Sequence, residues 1–210
     1  KPYVTREPSV SISGEGDPGD TVNIYLDDET TPTETAKVAS ARTWSAKISL
    51  TGGHVTKISV SETDVAGNES AKQVWGYAMA DATAPAVTLA ALPETTDKSS
   101  VILSGTVTKD SWEDWSDITL TVQLGTGQVT VPITSVSGND GSYSYSLSLA
   151  EGANTIVVQA IDEAGNPSDV AHATVERTVT SWGIYAVILV IIALILAAVA
   201  IFAGPKIWKR

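Results

Sequence analysis

The sequence contains no cysteine, one methionine, one phenylalanine and two histidines. Without Cys there is no disulfide, no thiolate metal site and no Cys nucleophile. His54 follows Gly52-Gly53 in an expected turn, and His172 falls in an expected final strand. Neither belongs to an HExxH pair, and no Ser-x-Gly elbow, phosphate loop or dinucleotide fingerprint accompanies them. Cations are also scarce: 13 Lys and Arg face 24 Asp and Glu, for a net charge of −11. Three of those cations are Lys206, Lys209 and Arg210, so the residues before them carry −14. That charge gives no footprint for nucleic acid and serves solubility. Paired carboxylates occur at Asp27-Asp28-Glu29 and Glu113-Asp114. Acid–base chemistry needs such groups enclosed in a cleft. Both clusters read as solvated loops, so no catalytic residue is assigned and a non-enzymatic chain is expected.

What the sequence holds in abundance is Thr, Ser and Val in short runs punctuated by Gly and Pro, a β-forming composition. Residues 64–70 read DVAGNES and residues 162–168 read DEAGNPS, 98 positions apart. Self-similarity at that period marks a duplicated unit. Extending the match, ISVSETDVAGNES (58–70) and IVVQAIDEAGNPS (156–168) share seven of thirteen residues, and TWSAKISLTGG (43–53) aligns with SYSYSLSLAEG (142–152). The second copy shows seven candidate strands: 87–92, 100–107, 118–124, 128–133, 143–149, 155–161 and 170–176. Turn signals separate them, as in an immunoglobulin-like sandwich. On the 155–161 strand, Ile156, Val158 and Ala160 share the core face. The first copy has little sequence ahead of residues 8–13; its first strand is expected upstream of Lys1 or reduced to residues 2–5. The chain starts with Lys1 and shows no signal-peptide pattern, so it reads as the tail of a processed or longer precursor.

Residues 183–204 form an uncharged apolar run of 22 positions, which a helix would stretch over roughly 33 Å, enough for a bilayer core. Trp182 and Tyr185 flank one end and Trp208 the other, where interfacial aromatics belong. Lys206, Lys209 and Arg210 place the C-terminus on the cytoplasmic side and residues 1–181 outside. Ala193 with Ala197 forms a small-xxx-small pair suited to helix–helix contact. LPETT at 92–96 lies far ahead of this run and has Thr96 where a sortase signal needs Gly; it reads as a strand-end turn.

The expected organisation is all-β with one helix. A first sandwich spans 1–80, a linker 81–86, a second sandwich 87–177, a short juxtamembrane stretch 178–182, a transmembrane helix 183–204 and a basic tail 205–210. The order Ser13-Gly14, Pro18-Gly-Asp-Thr-Val22, Thr43-Trp-Ser-Ala46, Asp64-x-Ala-Gly-Asn-x-Ser70 and Asp81-Ala-Thr-Ala-Pro85 resembles the bacterial and archaeal immunoglobulin-like repeats of cell-surface proteins, over about 170 of the 210 residues. The resemblance implies stalks, spacers, adhesin shafts or surface-layer lattices, with a single C-terminal anchor. It also implies that acids near unit junctions hold calcium, which makes Asp64, Asp81 and Asp162 candidate ligands. The alternative role of Asp64 and Asp162 is to cap their own turns. No cofactor is required otherwise. Asn68-Glu69-Ser70 is a glycosylation sequon; its counterpart at Asn166 is closed by Pro167. The departure from the repeat pattern is GTVTKDSWEDWSDITL (105–120), a long acidic loop whose Trp112 and Trp115 either pack on the sandwich or contact a neighbour. Expected partners are the lipid bilayer and neighbouring surface proteins or copies of the chain. The leading reading is a membrane-anchored extracellular stalk. Its rivals are a surface-layer subunit, the stalk of an extracellular enzyme and an accessory subunit of a membrane complex.

Overall fold

Alternating side chains make each short run amphipathic across the two faces of a strand, and the chain resolves this by packing sheets in pairs. The computed structural model describes residues 1–179 and 187–196. The first sandwich contains β1 (Tyr3–Thr5), β2 (Ser9–Glu15), β3 (Thr21–Leu26), β4 (Glu34–Lys37), β5 (Thr43–Ser49), β6 (Thr56–Thr63) and β7 (Gln73–Ala80). Its large sheet has the order β1-β7-β6-β3-β4, and β2 pairs with β5 in the facing ribbon. Ile12, Ile24 and Ile58 are buried between the two layers together with Val22, Trp44 and Ile48.

The second sandwich contains β8 (Ala86–Val87), β9 (Thr95–Thr96), β10 (Ser100–Thr108), β11 (Thr119–Leu124), β12 (Gly127–Thr130), β13 (Ile133–Ser137), β14 (Asp140–Ser148), β15 (Gly152–Ile161) and β16 (Ala171–Arg177). Its sheets run β13-β14-β10-β8 and β12-β11-β15-β16-β9. Ile156, Val158 and Ala160 are fully buried on the inner face of β15, as the alternation requires. Tyr143, also buried, donates its hydroxyl to Thr88 O at 2.7 Å, and burial pushes its pKa up to about 12.

The repeat is visible in the topology. β1 pairs with β7 in parallel, and β9 pairs with β16 in parallel. Thr5 O accepts from Asp81 N and Thr96 O from Thr178 N, so KPYVT and LPETT are equivalent. The strand-end turn expected at 92–96 is therefore corrected: Thr95 and Thr96 form β9, because the segment crosses from one sheet to the edge of the other and its β-branched residues suit a strand. The copies differ at the start. In the second, residues 86–90 line the edge of β10, with Thr88 N donating to Thr106 O and Ala90 N to Ser104 O. In the first, β2 has β5 as its strand partner.

Residues 187–196 are helical. Among the described residues no helix is long and apolar enough to cross a membrane. The rest of the expected span, 183–186 and 197–204, lies outside the described residues.

Candidate metal centre at the joint between the sandwiches

The turn Asp162–Asn166 is built by its own side chains. Asp162 Oδ1 accepts from Asn166 N at 2.8 Å, and Oδ2 accepts from Asn166 Nδ2 at 2.8 Å. Gly165 takes φ +86°, a left-handed conformation that favours glycine. The second hydrogen of Asn166 Nδ2 is spent on the linker, with oxygens of Asp81 at 2.9 Å and Thr83 at 3.4 Å. One amide thus ties the turn of the second sandwich to the segment leaving the first.

This clasp brings Asp81 beside Asp162. Asp81 is 2% exposed and Asp162 5%. The long loop 109–118 adds Glu113, and carboxylate oxygens of all three residues lie within 4.8 Å of one another. Oxygens on opposite sides of a calcium ion are about 5 Å apart, twice the usual bond length of roughly 2.3–2.6 Å. Glu113 Oε2 accepts from Asp110 N at 2.8 Å, whereas its Oε1 is buried without a partner, as is Asp110 Oδ2. Burial raises the Glu113 pKa to about 6 against the one favourable backbone hydrogen bond, and the negative charges of Asp81, Asp162 and Asp110 add to the rise. Burial likewise raises Asp81, offset in part by the Thr83 N–H and reinforced by Asp162. The nearby ammonium of Lys109 bonds backbone carbonyls, those of Asp110 at 3.0 Å and of Glu113, and it sits 5.3 Å from the Trp115 ring centroid. The cluster therefore offers concentrated negative charge on hard oxygen donors. Asp81, Glu113 and Asp162 are the residues that would hold a divalent cation.

Further contacts close the joint. Lys1 Nζ pairs with Asp117 Oδ2 at 2.7 Å and Glu163 Oε2 at 2.8 Å. The Trp112 ring covers Gly53 of the first sandwich, 3.3 Å from where a Cβ would stand. A cavity of about 210 Å³ lies beneath, lined in part by Val4, Val55, Met79 and Trp112. Trp115 instead packs on its own sandwich and donates Nε1 to Gly138 O at 3.2 Å. The two tryptophans of the loop thus pack on different sandwiches of the same chain.

Asp64 is not part of the cluster. It stands past the far end of β6, whose eight residues span about 26 Å. Its carboxylate accepts from Ala66 N, Asn68 N and Asn68 Nδ2 at 2.8–2.9 Å. The Asn68 side chain, then the backbone N–H groups, hold its pKa below the ordinary value. Asn68 itself is exposed. Ala193 lies in the helical stretch 187–196, while Trp182, Tyr185, Ala197, Lys206, Trp208, Lys209 and Arg210 lie outside the described residues. Sequence reasoning missed Glu113, Asn166 and Lys1. The signal for Glu113 was the loop 105–120, whose length departs from the repeat pattern.

The family model for glucodextranase, domain B, matches residues 85–181, which include the second sandwich. No curated protein matches the sequence. Among solved structures, the fibronectin(III)-like modules of Clostridium thermocellum CbhA superpose with a TM-score of 0.52 at 16% identity, covering 85% of this chain and 89% of theirs. An ICAM-5 D1–D4 ectodomain fragment gives 0.43 at 16% identity, covering 83% of this chain and 51% of its own. The Bacteroides ovatus protein SGBP-B, in complex with a mixed-linkage heptasaccharide, gives 0.30 at 17% identity, covering 83% and 42%. The first of these supports the sandwich fold and no more, and the other two carry no argument.

Proposed function

We propose that this chain is a non-enzymatic, membrane-anchored extracellular stalk segment of a larger surface protein, with two sandwiches held in series by a joint that takes calcium. The observation that carries the reading is the joint itself. Buried carboxylates from the linker and the 162–166 turn converge there with a half-buried one from the 109–118 loop, and a clasp, an ion pair and a tryptophan lid join the units around them. Like charges buried together repel unless a cation compensates them. A bound ion would therefore stiffen the joint as well as neutralise it, because its ligands come from both the linker and the second sandwich.

The anchor rests on the uncharged run 183–204 and the cationic tail after it, with residues 187–196 helical. Five residues, 178–182, separate β16 from that run and reach at most about 18 Å, so the second sandwich stands close to the lipid. The test is thermal melting of the full chain in detergent with and without calcium, beside extraction of membranes at alkaline pH. A melting temperature that rises with millimolar calcium, and a chain that stays with the lipid, support the reading. No shift in the first would remove the cation, and release in the second would remove the anchor.

A further inference from the structure

The second sandwich shows how it receives the segment that precedes it. Residues 81–90 are gripped twice. Asn166 Nδ2 holds the oxygens of Asp81 and Thr83. The chain then runs down the edge of β10, where Thr88 N and Ala90 N donate to Thr106 O and Ser104 O, Thr106 N donates to Thr88 Oγ1, and Val87 and Leu89 pack against the core. Gly105 has no Cβ because one would collide with the Thr88 carbonyl.

The far end of the first sandwich carries both grips. The turn Asp64–Asn68 has the same internal bonds as Asp162–Asn166, and Gly67 has φ +88° where Gly165 has +86°. Asn68 Nδ2 bonds Asp64 Oδ2 alone among the described residues. The edge of β2 stands where β10 carries its strand. Ser13, the counterpart of Ser104, gives its carbonyl to Trp75 Nε1 at 3.0 Å instead. Glu15, the counterpart of Thr106, gives its carbonyl to Trp44 Nε1 at 3.3 Å, and a cleft of about 320 Å³ lined by Gly14, Val22, Trp44, Val60 and Trp75 lies beside this edge. Trp75 is the extra residue of a bulge in β7 and is 42% exposed. It covers a sheet edge that would otherwise present unpaired groups.

We propose that this end is a docking track for an extended segment of the Asp81–Ala90 type, delivered by a further sandwich that precedes Lys1 in the same polypeptide. The interface is the established joint repeated one unit outward. A head-to-tail contact propagates in this way because its two faces differ, and strand addition supplies the bonding. The chain's own residues 81–90 are already bound to the second sandwich, so a second copy has no free equivalent to offer. The inference extends the stalk reading but does not depend on calcium or on the anchor.

The equivalence of KPYVT with LPETT sets the register for a test. The full chain is extended by its own residues 81–91 placed directly before Lys1. Amide exchange at Glu15, the counterpart of Thr106, should slow by about tenfold, the Asn68 side-chain amide resonance should shift, and Trp75 fluorescence should change as its indole leaves Ser13. A second extension with proline in the place of Thr88 should abolish the exchange protection. Unchanged exchange and fluorescence in the first extension, or equal protection in the proline variant, would overturn the proposal. Protection that grows with protein concentration would also overturn it, since the donor would then be another molecule. Calcium-dependent melting that persists while docking fails would leave the stalk reading standing.

Discussion

The two Asp-x-Ala-Gly-Asn turns have one geometry and two different fates. At 64–68 the turn is exposed and serves itself: its carboxylate caps backbone N–H groups, and its pKa is lowered. At 162–166 the same bonds are kept, but the turn is buried against a linker and sits beside two other carboxylates. The local motif therefore makes a shape. What the shape does depends on which chain passes over it.

The comparison between the sandwiches is broken most strongly in their cores. Ile58→Ala and Ile156→Ala each empty a fully buried site and should cost about 2–5 kcal/mol. Denaturant unfolding followed by probes in each unit should show both units shifting together if the joint couples them, and one shifting alone if it does not. Next comes the clasp. Asn166→Ala leaves the linker oxygens without their buried donor and should cost about 1–3 kcal/mol. Asn68→Ala, on an exposed turn, should cost about 1 kcal/mol or less. Equal losses in chemical denaturation would erase the distinction between the two turns.

The pH dependence separates the joint from the exposed turn by sign. The folded-state pKa of Glu113 is raised from 4.5 to about 6, so the folded chain binds that proton more tightly. Its contribution to stability is greatest below about pH 4.5 and falls as pH rises through 6. The loss should be about 1–2 kcal/mol after allowance for the solvent that reaches this loop. Asp64 acts oppositely: its pKa is depressed, so its contribution is present above the ordinary carboxylate range and fades on acidification. Melting between pH 4 and 7 in chelator should show the Glu113 trend, and Glu113→Gln should flatten it. The smallest effect concerns the metal response itself. Glu113→Gln should be nearly neutral or stabilising in chelator, yet should reduce the calcium-induced melting shift. Asp64→Asn should leave that shift unchanged.

The strands, the duplication and the core face of β15 were legible because side-chain alternation and turn residues are local signals. The calcium candidates Asp64, Asp81 and Asp162 were named as one group, of which the fold brings Asp81 and Asp162 together and leaves Asp64 apart. Period and residue type cannot distinguish two copies of one corner; only the path of the linker does. Glu113 was read as a solvated loop residue because its burial comes from a loop folding back on a segment 32 positions earlier in the chain. Thr95 and Thr96 were read as a turn because a two-residue strand is too short for any period to register. The edge of β2, capped by indoles where β10 carries a strand, is visible only when the two units are compared as a repeat.

The parallel pairs at the sandwich margins bear on mechanics. In each unit a strand near the start of the unit lies beside its last strand and runs the same way, β1 on β7 and β9 on β16. Tension applied to the two ends of a sandwich pulls such strands past each other, so their hydrogen bonds resist together instead of opening one by one like a zip. Each sandwich therefore carries a short parallel seam between an early strand and its last one, loaded in shear when the ends are pulled apart.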